Sequence, residues 1–288
     1  MTYSLTLRAL CTRLVAGGAI AIAIASCSAI PGLGGGEAPP GAPQLSAEER
    51  ATAEGIVKGA DEALAVNPKD KDALWDKLRA LMELGRYEEA LTTADAALAA
   101  DPKSASVLVR KGTVLERLER PDEALAAYQE ATKVRPSLDR AWAQAARLQG
   151  QKGQHAEALK SIDRALKLKP NDGDYLTRRG ETLMQLKKPQ DALKALDRVI
   201  ELQPANGRAL ARRATALTQL KRYDDAVKSA DAALELEADN VSAWLAKGDA
   251  LRGLKKKEEA MAAYEKALEL NPEFANTQKR IDQLKAEK

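Results

Sequence analysis

The sequence predicts an all-α protein built as a stack of helical pairs, and three observations carry that prediction. Pro68, Pro102, Pro136, Pro170, Pro204 and Pro272 fall on one ladder of period 34, broken only at Ala238. Ala90, Ala124, Ala158, Ala192, Ala226 and Ala260 keep the same period. Self-similarity of this kind marks a repeat architecture, in which each unit buries its apolar face on its neighbour and chain length counts repeats. Composition is the third: hydrophobic content of 45% comes largely from Ala and Leu, with 3% aromatic and 30% charged residues, the balance of a helical protein with small-residue contacts.

The totals also narrow the chemistry. Net charge is +3, and loss of a leader carrying Arg8 and Arg13 without acids leaves about +1, which provides no whole-molecule field for nucleic acid. Both cysteines, Cys11 and Cys27, sit near the start, so the repeats have no thiol for a disulfide, a metal or a nucleophile. His155, the single histidine, has no second ligand near it in sequence, and no Gly-rich phosphate loop or nucleophile constellation occurs. Neither a cofactor nor catalysis is expected.

Residues 1–26 read as an export signal: Arg8 and Arg13, then a twelve-residue apolar run from Leu14 to Ala25 that is short of the ~20 residues of a spanning helix. The run ends in Ile24, Ala25, Ser26 and Cys27, which resembles the lipobox of bacterial lipoproteins. That resemblance implies cleavage before Cys27 and a lipid on it, and Ser28 after it favours the outer membrane. Ordinary cleavage at the small-x-small site Ala23, Ile24, Ala25 is the alternative and releases a soluble protein. Residues 27–45 then form a Gly- and Pro-rich tether with one charge, Glu37, too poor in apolar groups to offset ordering entropy. As a coil its eighteen residues from Ser28 span ~20–25 Å.

The folded domain is expected over 46–288. Ser46 and Glu49 have capping-box spacing and open an orphan helix over 46–67, whose Ile56, Val57, Ala60, Ala63 and Leu64 share one face. Six repeats follow over 71–272, starting at Lys71, Ala105, Asp139, Gly173, Gly207 and Val241. Their fourth slot holds Leu74, Leu108, Trp142, Leu176, Leu210 and Trp244; their eighth holds Leu78, Gly112, Ala146, Gly180, Ala214 and Gly248. Slot by slot these units resemble tetratricopeptide repeats.

Acidic pairs such as Glu88 with Glu89 and Asp224 with Asp225 open the second helix of a repeat, where the dipole favours negative charge. Pro121 and Pro189 stand just before such acids, where a missing N–H costs little. Phe274, Thr277, Ile281 and Leu284 make the apolar stripe of a helix over 273–288 that caps the open end. Trp142 and Trp244 read as core. Two repeats depart from the pattern: Leu78 fills a slot that is otherwise small, so the first pair is expected to be shifted, and Gln149, Lys152 and His155 with Gly150 and Gly153 make 149–156 the expected soft spot.

The resemblance implies a right-handed superhelix whose concave groove is lined by first-helix slots two, five, six, nine, twelve and thirteen. Those slots place Arg110, Arg140, Arg147, Arg178 and Arg212 in the groove, with acids such as Glu116 and Glu181 opposite and Trp75 as a candidate anchor. Guanidinium forks fit carboxylates bidentately, so the groove suits a protein partner with acidic side chains or a C-terminal carboxylate. Solvated arginines paired along their own helices are the competing reading. Lys111, Arg179, Arg213 and Lys247 share slot seven and are expected to lay their stems on apolar surface with the charge in water. The function implied is a non-enzymatic, lipid-anchored scaffold facing the periplasm that binds envelope proteins; it resembles repeat lipoproteins that act as pilotins or as adaptors for peptidoglycan enzymes. The alternatives are a soluble periplasmic holder and, from another class, an envelope hydrolase.

Overall fold

The computed structural model describes residues 45–273 and 277–286, which lie within one compact unit, Ala42–Lys288. The export signal, Cys27, nearly all of the tether and Phe274 lie outside the described residues. Those residues contain fourteen helices and no strand. Helix α1 (Ala47–Val66) comes first. Six first helices follow: α2 (Lys71–Glu83), α4 (Ala105–Arg117), α6 (Asp139–Gln151), α8 (Gly173–Gln185), α10 (Gly207–Gln219) and α12 (Val241–Gly253). Their partners are α3 (Tyr87–Ala100), α5 (Pro121–Val134), α7 (His155–Leu168), α9 (Pro189–Leu202), α11 (Tyr223–Leu236) and α13 (Lys257–Leu270), and α14 (Thr277–Ala286) ends the chain.

Local chemistry explains each boundary. Ser46 Oγ accepts from Glu49 N–H while the Glu49 carboxylate accepts from Ser46 N–H, a closed capping box that also holds the Glu49 carboxyl below its ordinary range. Asp70, Asp172, Asn206 and Asn240 cap α2, α8, α10 and α12 through their side-chain oxygens. The second helices lack such a cap. Before four of the six, a cation instead reaches the acid three residues on: Arg86 Nε to Glu89 at 2.6 Å, Arg120 Nε to Glu123 at 2.6 Å, Arg222 Nη2 to Asp225 at 2.6 Å and Lys256 to Glu259 at 3.3 Å.

The turn inside each repeat is a Schellman motif. The N–H of Arg86, Arg120, Gln154, Lys188, Arg222 and Lys256 reaches back five residues to the carbonyl of Leu81, Leu115, Gln149, Leu183, Leu217 and Leu251. This geometry requires a left-handed residue. Gly85 and Gly153 supply it freely, but Glu119, Lys187, Lys221 and Lys255 are held at φ of 56°, 56°, 59° and 61°. Between repeats, the residue before each proline is extended, as its ring requires. Glu237 adopts the same conformation before Ala238, and Asn240 N–H reaches Glu237 O at 3.1 Å as Asn206 reaches Gln203. The proline is therefore a stiffener and not the cause of the turn.

The alanine ladder is fully buried, at 0% exposure in all six repeats. Slot eight faces slot twenty-four across each pair. A Cβ on Gly112 would sit 2.6 Å from Tyr128 Cε1, one on Gly180 2.9 Å from Leu196 Cγ, and one on Gly248 2.5 Å from Tyr264 Cε1. The other pairs are Ala146 with Ile162, Ala214 with Ala230, and Leu78 with Ala94, all buried. Leu78, anomalous by itself, thus stands opposite an alanine where repeats two, four and six set glycine opposite a large side chain. In the third repeat, Gln149 stands where the other repeats place leucine; it is buried and accepts from Ser161 Oγ at 2.7 Å. Trp142 and Trp244 lie at the margin of the core: both are half-buried and pack against core clusters, and each indole N–H donates to the turn six residues back, Pro136 O and Ala238 O, at 2.9 Å.

Repeats are stitched by a ladder of ion pairs. Lys77 reaches Asp61, Lys111 Asp95, Arg179 Asp163, Arg213 Asp197 and Lys247 Asp231, all at 2.6–2.7 Å. The slot-seven cations are thus paired to the preceding repeat, a correction to the expectation of charges left in water. Partial exposure holds each pair below about 1 kcal/mol. The ladder skips one junction, where Gln129 and Ala145 replace it and Glu116–Arg147 and Asp122–Lys152 join repeats two and three instead. At the far end, buried Thr277, Ile281 and Leu284 of α14 cover the last repeat, and Arg280 Nε meets Asp249 at 3.0 Å.

Two outcomes follow for stability. We expect Lys187→Gly and Lys221→Gly each to raise stability by about 0.5–1 kcal/mol, because glycine relieves the left-handed strain; urea denaturation reads this, and a loss would contradict the turn assignment. We expect Gly112→Ala to cost about 1–3 kcal/mol by overpacking against Tyr128. Combining it with Tyr128→Ile, which copies the pairing of repeat three, should give a double-mutant cycle with a favourable coupling of at least about 1 kcal/mol.

Candidate binding cleft

A cleft of about 630 Å³ opens on the first-helix face of repeats three to five. Helix α6 contributes Arg147 and Gln151, α8 contributes Arg178, Glu181 and Gln185, and α10 contributes Arg208, Arg212 and Gln219. His155, at the start of α7, closes one edge. The side chains converge because equivalent slots recur every 34 residues, so that neighbouring first helices present the same rows.

Their charges are unequally satisfied. Arg147 is held by Glu116 Oε2 through Nη2, by Gln144 at 3.0 Å and by Gln151 at 3.3 Å. Glu116 also accepts from Tyr128 Oη at 2.6 Å, and burial pushes that phenol well above its ordinary range. Arg208 and Arg212 share a single oxygen, Glu181 Oε1, at 2.6 and 3.1 Å. Arg178 is different. It is half-buried, and while its backbone carbonyl accepts from Thr182 Oγ1 at 2.8 Å, its guanidinium makes no hydrogen bond or ion pair with any described residue. Desolvation lowers its pKa, Glu181 partly offsets this, and Arg147 and Arg208 add repulsion. Four guanidiniums thus meet three acids, Glu181 in the cleft, Glu116 behind Arg147 and Asp174 acting on Arg178, a surplus of one positive charge.

Arg147, Arg178 and Arg212 of the expected groove set lie together here, whereas Arg110, Arg140 and Trp75 do not. Trp75 packs against the first core cluster, and Arg110 lies over its ring at 4.4 Å from the centroid while its Nη1 approaches Met82 Sδ at 3.9 Å. Burial, with the like charges of Arg140 and Arg79, lowers the Arg110 pKa. Arg140 is exposed beside this pair. The glutamines of the cleft were missed by an eye for charge, although Gln151, Gln185 and Gln219 share slot thirteen and the period alone reveals them. Among the described residues, no group of three or more His, Cys, Asp or Glu could hold a metal ion.

Helical pairs repeated at a fixed period, ion-paired between neighbours and open on one face as a polar cleft, define an α-solenoid. Models of the tetratricopeptide repeat match residues 49–108, 109–173, 177–236 and 241–274. The chain belongs to the tetratricopeptide repeat family. Among curated proteins none matches it in sequence. In fold it is similar to YrrB, described as a TPR protein with an unusual peptide-binding site, at 22% identity over 65% of this chain and 96% of that one, with a TM-score of 0.54. It is also similar to PilF of Pseudomonas aeruginosa, at 20% identity over 80% and 100% of the two chains and a TM-score of 0.61. MamA of Desulfovibrio magneticus RS-1 shares 21% identity over 59% and 97%, with a TM-score of 0.54.

Proposed function

We propose that this chain is a lipid-anchored tetratricopeptide scaffold of the bacterial cell envelope, facing the periplasm, that captures a partner protein in its first-helix groove and so assists the assembly or localisation of a complex. The observation that carries the reading is the cleft of α6, α8 and α10, whose surplus of guanidinium charge suits an acidic segment or a C-terminal carboxylate. The peptide-binding site named for YrrB is consistent with a solenoid of this kind used for capture. Anchoring is supported by Cys27 at the end of an apolar run and by the Gly- and Pro-rich segment after it, and Ser28 favours the outer membrane.

Photocrosslinkers placed at Gln185 and Gln219 in living cells should capture one protein or a few envelope proteins, and the same probe at Lys133 on α5 should not. Equal capture from both positions would remove the groove from the reading. Mass spectrometry of the mature N-terminus should find diacylglyceryl on Cys27, with Cys27→Ala releasing the protein from the membrane fraction. A start at Ser26 without lipid would instead support the soluble periplasmic holder.

A further inference from the structure

The cleft holds one anion already, and it is the protein's own. Glu181 Oε1 accepts from both Arg208 and Arg212, while its neighbour Arg178 has no partner among the described residues. Among the described residues no buried side-chain nitrogen or oxygen lacks a hydrogen bond, so the unpartnered Arg178 guanidinium reaches the solvent of the cleft. A half-buried, desolvated and unpaired guanidinium beside two cations that share one carboxylate oxygen gives two positions suited to a carboxylate, one of them taken by Glu181.

We propose that the cleft is a two-seat site for an extended acidic peptide, in which Arg178 receives one side-chain carboxylate and Glu181 is an internal stand-in that a second ligand carboxylate displaces from Arg208 and Arg212. The proposal rests on the groove reading given above and assigns its ligand. First helices of neighbouring repeats lie ~10 Å apart, so the cleft crosses ~20 Å from α6 to α10, which six or seven residues of polyproline II chain cover at ~3.1 Å each. Seats one repeat apart match acids three residues apart, which the three-residue turn of polyproline II puts on one face. Gln151, Gln185 and Gln219, one on each helix, line the same cleft with amide donors and acceptors. An extended backbone has free N–H and C=O groups to meet them, whereas a bound helix has spent its own.

The stand-in gives the proposal an unusual sign. Removing a groove acid should strengthen binding of an acidic ligand only modestly if it acts through general repulsion, but markedly if it occupies a seat. The test is fluorescence anisotropy on the full mature chain, with a labelled hexapeptide of Gly and Ser carrying Glu at its second and fifth positions, and the same peptide carrying Gln. The Glu peptide should bind at least about tenfold more tightly than the Gln peptide. Arg178→Ala should weaken it about tenfold or more and Arg178→Lys should recover only part, as expected when a charge-assisted fork is lost. Glu181→Gln should tighten it about fivefold to tenfold, and Glu83→Gln, outside the cleft, by less than about twofold. Thermal melts of all variants check that they fold.

Equal binding of the two peptides, indifference to Arg178, or weaker binding by Glu181→Gln would each overturn the two-seat assignment. If groove crosslinking still captures a partner, only this assignment falls. If the peptide pattern holds while crosslinking captures nothing, the scaffold reading falls and the site remains.

Discussion

The spacing of the two helices within a repeat is the constraint on which the rest of the molecule depends. It is set where slot eight meets slot twenty-four, and no repeat places two large residues there. Gly112 and Gly248 leave room for the buried rings of Tyr128 and Tyr264, Gly180 leaves room for Leu196, and Leu78 is matched by Ala94. Repeat five carries two alanines, and Ala246 of the next repeat completes that contact. Dense packing makes such a pair a single unit, because added volume on one side has nowhere to go unless it is removed from the other. With the pairs held at a regular spacing, every first helix presents its remaining faces in the same rows, and the cleft is one consequence of that regularity.

Stacking then divides the charges between structure and surface. The cations of slot seven are consumed by aspartates on the preceding repeat, from Lys77–Asp61 to Lys247–Asp231. Asp61 belongs to α1, which therefore serves as the second helix of a repeat whose first helix is absent from the described residues, a role that its buried Ala53, Val57 and Ala60 share. Where Gln129 and Ala145 interrupt the ladder, the junction is carried by Arg147 and Glu116, on the groove side. One groove arginine is thus committed to holding repeats two and three together, and Tyr128 links the same carboxylate to the slot-eight packing of repeat two.

Most of the fold was legible because the period of 34 converts positions into structural roles: the starts of all six first helices and the capping box at Ser46 could be read from the residues alone. The departures came from reading slots singly. Leu78, large in a slot that is otherwise small, is matched by Ala94 across the pair, and Gln149, polar where the other repeats place leucine, accepts from Ser161 twelve residues away. The candidate site was legible only in part. A shared slot puts Arg110, Arg178 and Arg212 on one row, but their fates differ through residues on other helices. Arg110 lies on Trp75, Arg212 shares Glu181 with Arg208, and Arg178 has neither. Side chains as long as arginine choose among neighbours a whole repeat away, and periodicity does not encode that choice.

The same distinction explains why the cleft of repeats three to five differs from the basic patch of repeats one to three. Over Trp75, the Arg110 charge is met by the negative face of a ring that also packs on the core, so the guanidinium is committed before any ligand arrives. Around Arg178 the neighbouring cations are like charges and the nearest acid is already engaged by two others. Partial desolvation disfavours the charged guanidinium, and an incoming carboxylate would lessen that cost while adding directed hydrogen bonds. A site of this kind is selective by sign and by geometry, because a neutral ligand relieves nothing and a cation adds to the surplus. The packing that fixes the helices fixes where each arginine leaves the backbone, so the charge is gathered at the cleft before the partner binds.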